Sequence, residues 1–385
     1  MKISIPFNKP YFTGRETEYI RESVASGKIS GDGVFTAKVH QFFGERYGFA
    51  KSLLTTSCTD ALEMAAILCG IEPGDEVIAP SYTFVSTVNA FVLRGAKIVF
   101  ADSEAATPNL DVDGLESLIT PRTKVIVPVH YAGMACDMDP LCELARRHGI
   151  LVVEDAAQAI DSYYNGKPLG SLGQLSAFSF HETKNIISGE GGMLVVNDAD
   201  LSARAEIIRE KGTNRSAFFR GEVDKYGWVD IGSSFLPSDI VAAFLFAQLE
   251  QIDQIQAKRM TLWSRYFEAL LPLEHRGDLR LPVVPGYATN NAHMFYLLCD
   301  SLKTRTALID HLKSKGILSV FHYLSLHKSP YYHGKHDGRA LQNADRYSDC
   351  LVRLPLYYDL SDADMTLIIE AIFEFYSQRR GAVKC

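Results

Sequence analysis

Through the middle of the chain, short apolar runs rich in β-forming residues alternate with segments of helical period. The runs lie at 97–100 (KIVF), 125–129 (VIVPV), 151–153 (LVV) and 193–196 (MLVV), and the helical segments include 60–68 (DALEMAAIL) and 139–147 (DPLCELARR). Runs that are apolar throughout suit strands buried on both faces. Their alternation with helices predicts crossover units, hence a mostly parallel sheet covered on both sides, and an α/β fold.

From 241 to 271 the pattern becomes one long helical stretch, followed by proline and glycine punctuation in LPVVPGYATN. The spacing predicts a large domain over 1–250 and a smaller C-terminal α+β domain over 251–385. In the latter, HMFYLLCD and ILSVFHY read as strands, RTALIDHLKSKG as a helix, and a final helix follows Leu360.

Composition narrows the class. With 385 residues, 47% hydrophobic and 22% charged, the chain can bury a large core. The opening MKISIPFNKP lacks the apolar run of a secretory signal, and no stretch reaches membrane-spanning length, so the expected location is the cytoplasm. Seven scattered cysteines (Cys58, Cys69, Cys136, Cys142, Cys299, Cys350, Cys385) without close CxxC pairs suggest neither a disulfide framework nor a zinc site. A net charge of -7 with interspersed signs argues against a nucleic-acid partner.

Candidate chemistry begins at LVVEDAAQAI, where Asp155 closes a strand-like run. Open parallel sheets present ligand-binding groups at such ends, although Asp is also a favoured helix N-cap. Further on, SAFSFHETKNIISGEGG places Lys184 in a polar, turn-like segment with Ser179, His181 and a glycine-rich exit. An isolated lysine is usually a solvated surface charge. Paired with Asp155 it gains a specific meaning, because pyridoxal phosphate needs a lysine for its imine link and a carboxylate to keep its pyridine nitrogen protonated.

A third piece, LLTTSCTDALEMAA, runs from an apolar strand end through small hydroxyl residues into a helix. Backbone N–H groups at a helix start make an anion site, so Ser57, Cys58 and Thr59 are phosphate candidates; simple capping accounts for the same residues. GEGG at 189–192 has no helix after it and reads as a tight hairpin. No GxGxxG follows a first strand, which counts against a nicotinamide enzyme. His322 and His327 in FHYLSLH match no metal spacing and read either as polar groups facing a substrate or as core or surface positions.

Taken in order, TSCTDALEMAA, PSYTFVSTVNAF, VPVHYAG, VVEDAAQ and FSFHETKN resemble the DegT/DnrJ/EryC1/StrS sugar aminotransferases, which are fold-type I pyridoxal-phosphate enzymes. The likeness extends from IPFNKP to LPLYYDLS. It implies that Lys184 carries the imine, Asp155 holds the pyridine nitrogen and Gln158 reaches the cofactor's phenolic oxygen. Phe84 would stack on the ring, and Cys58, Thr59 and Ser179 would hold the phosphate. Where many members reach a neighbouring subunit's phosphate with asparagine in a GxNxR-type segment, DIGSSFL offers Ser234 and replaces the arginine with Leu236. Some relatives carry histidine in place of the lysine and are dehydratases, so Lys184 implies transamination.

The resemblance further implies a homodimer with a shared active site, L-glutamate as amino donor and a dTDP-linked 4-keto-6-deoxy sugar as acceptor. The C4 epimer, a 3-amino product and a non-catalytic pyridoxal-phosphate-binding regulator stand as alternatives.

Overall fold

Side chains along a strand point alternately to opposite faces, so a run that is apolar throughout needs a core on each side. The computed structural model describes residues 3–383; Met1 and Lys2 of the opening segment and the thiol of Cys385 lie outside them. Its strands are β1 (Ser52–Thr55), β2 (Glu76–Pro80), β3 (Lys97–Ala101), β4 (Thr123–Ile126), β5 (Leu151–Asp155), β6 (Tyr163–Tyr164), β7 (Lys167–Pro168), β8 (Leu175–Ser179), β9 (Gly192–Val196), β10 (Phe295–Leu298), β11 (Val320–Phe321) and β12 (Leu351–Leu354).

Seven of them form one sheet in the order β1, β9, β8, β5, β4, β2, β3. β9 alone runs antiparallel to its neighbours; the other pairings are parallel. The fold is therefore α/β, as the alternation predicts. Neighbouring residues divide between two cores: Leu53, Ile98, Val125 and Val153 pack with the helices Cys58–Leu68, Ser86–Val92 and Ala199–Arg209. Leu54, Val99, Ile126 and Val152 pack with the helices Val34–Tyr47, Met138–His148 and Asp239–Leu249.

A second, antiparallel sheet has the order β10, β12, β11. Phe295, Val352 and Leu354 join a third core with Trp263, Tyr266 and Ile368, while Tyr296 and Leu351 join the first core beside Tyr82 and Tyr131. The small sheet thus lies against the same side of the large sheet as Tyr82.

Two elements depart from expectation. The helical stretch at 241–271 is two helices, Asp239–Leu249 and Ile252–His275, parted at Gln251, whose backbone is non-helical. Glu250 at the break accepts from Tyr19 Oη at 2.6 Å and from Arg15, and the second helix passes from the core of Ile255 to that of Leu262. The strand expected over 317–323 contracts to β11, because Tyr323 adopts a positive φ of 56° and leaves the extended region.

The end of β5 is held from behind by Glu154, which is fully buried. Its carboxylate accepts from the N–H groups of Gly170, Leu172 and Gly173 at 2.9, 2.7 and 2.7 Å, and meets His130 Nε2 at 2.9 Å. Burial alone would raise its pKa, but His130 and the N–H donors outweigh that and hold it below the ordinary 4.5. A folded value below the unfolded one means stability that is present at neutral pH and lost as pH falls through the folded value. Glu154→Gln should destabilise the fold by about 2 kcal/mol at pH 7, read as a lower urea midpoint, and should flatten the loss of stability on acidification. A midpoint equal to the parent's would contradict this anchoring role.

Candidate active site

The carboxyl ends of the parallel strands lie along one edge, and the chain leaving them builds a cavity of about 440 Å³. β5 contributes Asp155 and Gln158, β8 contributes Ser179, β1 leads to Ser57, Cys58 and Thr59, and β2 leads to Thr83 and Phe84. Lys184 lines the same cavity from the connection between β8 and β9.

Asp155 is buried and held by two donors, Thr87 Oγ1 at 2.7 Å and the Ala157 N–H at 3.1 Å. Thr87 in turn shares a 2.8 Å hydrogen bond with Thr83, one turn earlier. The Ala157 N–H bond closes a turn and no helix follows it, so Asp155 is not a helix N-cap; its side chain lines the cavity.

At the helix Cys58–Leu68, Ser57 is the N-cap, its Oγ accepting from the Asp60 N–H at 3.1 Å. The N–H groups of Cys58 and Thr59 occupy the first helical positions, where no intrahelical acceptor exists, and face an anion with the positive end of the helix. Thr59 Oγ1 donates to Ser86 Oγ at 2.9 Å, which ties the helix Ser86–Val92 to this cradle. Burial pushes the Cys58 thiol well above its ordinary range, so it is neutral. Gly192 explains the glycine at the start of β9: a Cβ there would sit 2.3 Å from Cys58 N and from Ser57 C.

GEGG does not make a tight hairpin. Residues 180–191 form a longer loop between β8 and β9, closed by Phe180 N–H to Gly191 O and Glu182 N–H to Gly189 O, both 2.9 Å, and the extra length is what brings Lys184 to the cavity. The next residue is clamped: Asn185 donates to Asn291 O at 2.8 Å and to Gln256 Oε1 at 2.9 Å, and accepts from His293 Nδ1 at 2.9 Å. Burial lowers the Lys184 amine below the ordinary lysine value of 10.5, against the opposing pull of Cys58 and Asp155; the charge of Arg353 lowers it further. Burial keeps His293 well below its ordinary range and therefore neutral.

The wall opposite is aromatic. His322 stacks on Tyr323 with centroids 3.5 Å apart, and its Nδ1 meets Tyr131 Oη at 2.7 Å. Gln158 donates to Tyr323 Oη at 3.1 Å and accepts from the Ala132 N–H at 2.7 Å. Phe84 is 54% exposed at the cavity, an apolar face available for a planar ring.

Two expected residues lie elsewhere. His327 is spent within the fold, its Nδ1 2.7 Å from Ser81 Oγ and its Nε2 3.6 Å from Asp345, so it does not face the cavity. Ser234 is exposed and its backbone pairs with Glu210, outside this chain's own cavity. Conversely, the sequence reading missed Thr83, Thr87, His293, Tyr323 and Arg353. The i,i+4 spacing of the two threonines and the single charge within the apolar LVRLPL run were available signals; His293 had none.

An amine, a carboxylate and a helix start open to an anion, all on one cavity, match the link, the ring nitrogen and the phosphate of pyridoxal phosphate. Among the described residues no group of side chains is arranged to hold a metal ion, and no helix is long and apolar enough to cross a membrane.

Comparison with known proteins agrees. The DegT/DnrJ/EryC1/StrS aminotransferase family profile matches residues 10–373. GDP-perosamine synthase of Caulobacter vibrioides is 36% identical over 370 residues, covering 94% of this chain and 96% of the relative. The aminotransferase TlmJ from Streptoalloteichus hindustanus superposes with a TM-score of 0.88 at 30% identity, over 98% of this chain and 100% of TlmJ. The PLP form of Spr1654 from Streptococcus pneumoniae also gives 0.88, at 26% identity, over 97% of this chain and 99% of that one. The chain belongs to the DegT/DnrJ/EryC1/StrS aminotransferase family, and is a sugar aminotransferase that depends on pyridoxal phosphate.

Proposed function

We propose that this chain transfers the amino group of L-glutamate to C4 of dTDP-4-keto-6-deoxyglucose, giving dTDP-4-amino-4,6-dideoxygalactose and 2-oxoglutarate. The observation that carries the chemistry is the placement of Lys184 and Asp155 on one cavity beside the open helix start of Cys58. The choice of sugar rests on FVLRGAKIVF, EIIREKGTNRS, FFRGEVDKY and DIGSSF, which resemble the transaminase forming that dTDP-linked product. A relative named for a GDP-linked sugar makes the guanine nucleotide the specific competitor. The free thiols among the described residues fit a reducing cytoplasm.

Bound in this cavity, pyridoxal phosphate supplies the electron sink that makes the donor's α-proton acidic. Lys184 would hold the cofactor through its side-chain amine. Once free, that amine would take the proton from the donor's α-carbon and, in the other half of the reaction, deliver one to the sugar carbon that gains the amine. Its lowered basicity keeps a larger share neutral, which both link formation and proton abstraction require. Asp155, aimed by Thr87 and the Ala157 N–H, holds the proton on the pyridine nitrogen. The cradle of Cys58 and Thr59 N–H groups, with Ser57 and Ser179 nearby, holds the phosphate.

Lys184→Ala should lose the visible band of the lysine-linked cofactor and all turnover. In the parent, that band should bleach with glutamate and return with the keto sugar, and NMR of the product should distinguish the C4 epimers and a 3-amino sugar. A parent without the band after incubation with pyridoxal phosphate would favour a regulator that has kept the fold without the chemistry. Asp155→Asn should keep the band but lose about a hundredfold or more in kcat; turnover equal to the parent's would sink the role of Asp155.

The pH dependence follows from the direction of the Lys184 shift. Only the neutral amine forms the link, so the rate at which apo protein takes up pyridoxal phosphate should rise with pH through a midpoint below 10.5. A midpoint at or above the ordinary lysine value would contradict the burial argument. Gly192→Ala should weaken cofactor retention without moving that midpoint, read by dialysis of the holoenzyme, because its Cβ would displace the cradle backbone.

A further inference from the structure

His293 stands just before β10 and is held from three sides. Its N–H donates to Asn291 Oδ1 at 3.0 Å, its carbonyl accepts from Arg259 at 2.8 Å, and its ring Nδ1 meets Asn185 Oδ1 at 2.9 Å. Asn291 is itself fixed, donating to the carbonyls of Gln158 and Ile160, both at 2.8 Å. The preceding Ala292 adopts a positive φ of 51°, an uncommon backbone for an alanine, and Arg259 holds its carbonyl at 3.1 Å. The imidazole is thereby immobilised at the cavity, which it lines together with Lys184.

Donor counting fixes the tautomer. The two hydrogens of the Asn185 amide are spent on Asn291 O and Gln256 Oε1, so its oxygen accepts and His293 Nδ1 carries the hydrogen. Burial keeps the ring neutral, which leaves a bare lone pair on Nε2. Among the described residues that atom has no hydrogen-bond partner, and it is not sealed off from the cavity. A ring needed only to clamp Asn185 would use Nδ1 alone.

The Lys184 amine is the matching half. It makes no hydrogen bond among the described residues; burial and the charges of Cys58, Asp155 and Arg353 are what act on it. Three cations act on His293. Arg259 is spent on the two carbonyls, Arg353 lies over Phe7 at 4.7 Å from its ring centroid without a bond to His293, and Lys184 is the one that the reaction sets free.

The inference rests on the transaminase reading. We propose that His293 is a positioning residue for that reaction: its Nε2 accepts a hydrogen bond from the Lys184 amine once the amine is free, and so turns the amine's lone pair toward the donor's α-carbon. A primary amine has two hydrogens and one lone pair, so tying one hydrogen to a fixed acceptor removes many orientations in which the lone pair points away. When the C–H bond breaks, its proton goes to Nζ and its electron pair to the cofactor. Nζ is then an ammonium, to which the same hydrogen bond is stronger, so the contact favours the step itself. The proton stays on Nζ, because the buried imidazole is too weak a base to take it.

Two substitutions separate the two ends of the ring. His293→Asn keeps an amide N–H at the Nδ1 position for Asn185 and removes the acceptor at Nε2. His293→Gln carries an amide oxygen out to the Nε2 position and gives up the clamp. Holoenzyme of the parent and both variants, compared for cofactor band and melting temperature, is bleached in stopped flow with glutamate, with and without deuterium on the α-carbon. His293→Asn should lower the saturating bleaching rate about tenfold or more, leave the half-saturating concentration within about twofold, and enlarge the deuterium effect. His293→Gln should recover part of the rate. Nitrogen NMR of histidine-labelled parent gives a readout free of turnover: His293 Nε2, the signal lost in the variants, should be a bare acceptor in the lysine-linked protein and a hydrogen-bonded one in the pyridoxamine-phosphate-loaded protein, where the amine is free.

A saturating rate in His293→Asn equal to the parent's overturns the proposal and leaves the transaminase reading intact. So does an Nε2 that carries hydrogen, or whose signal is the same in both loaded forms. A loss confined to His293→Gln reduces the ring to a clamp for Asn185, and a raised half-saturating concentration at an unchanged rate assigns it to the ligand; each overturns the proposal. A parent that bleaches with no amino acid overturns both readings.

Discussion

Lys184 and Asp155 must share one cavity without neutralising each other. Were they joined in a direct ion pair, the amine would be protonated and the carboxylate turned away from any ring nitrogen. The structure prevents this by satisfying Asp155 elsewhere: Thr87 and the Ala157 N–H hold its two oxygens, with Thr83 behind Thr87. Burial meanwhile disfavours the charged form of Lys184. Each group is thus ready for a ligand instead of for the other.

That separation depends on elements far apart in the chain. Asp155 is as well placed as the end of β5, which Glu154 pins to the loop at 170–173 and to His130. Lys184 is as well placed as its loop, which Asn185 ties to His293 and Asn291 just before β10. The small sheet therefore helps to fix the lysine as well as closing the wall with His322, Tyr323 and Arg353. Gly192 lets β9 pass close enough to β1 for the helix start of Cys58 to face the same space.

The cavity's charges suit anionic ligands. It carries the Arg353 guanidinium, the Lys184 amine and the partial positive end of a helix, against one committed carboxylate at Asp155 and an exposed one at Glu190. A cofactor phosphate, an amino-acid carboxylate and a sugar diphosphate can each find a favourable field there, at different depths. Phe84, Tyr323 and His322 line one part of the wall and Leu62 and Val129 another, so the polar groups act in a partly water-excluded space where they count for more.

Continuous apolar runs between helical segments sufficed for the α/β class and its mostly parallel sheet, because burial on both faces leaves a local trace in every strand. Ordered motifs sufficed for the family and singled out Lys184, Asp155, Gln158, Phe84 and the hydroxyl-rich helix start, which the fold brings to one cavity, because each lies at a strand end or loop with its own signature. Distance-dependent features left no such trace. Whether His327 would face a substrate or Ser81 was decided by packing across 246 residues. The break in the helical stretch at Gln251 arose where one segment serves two cores. Arg353 looked like a stray charge in an apolar strand until tertiary structure set it on the cavity wall with no anion beside it, since only the folded chain decides which buried charges have partners.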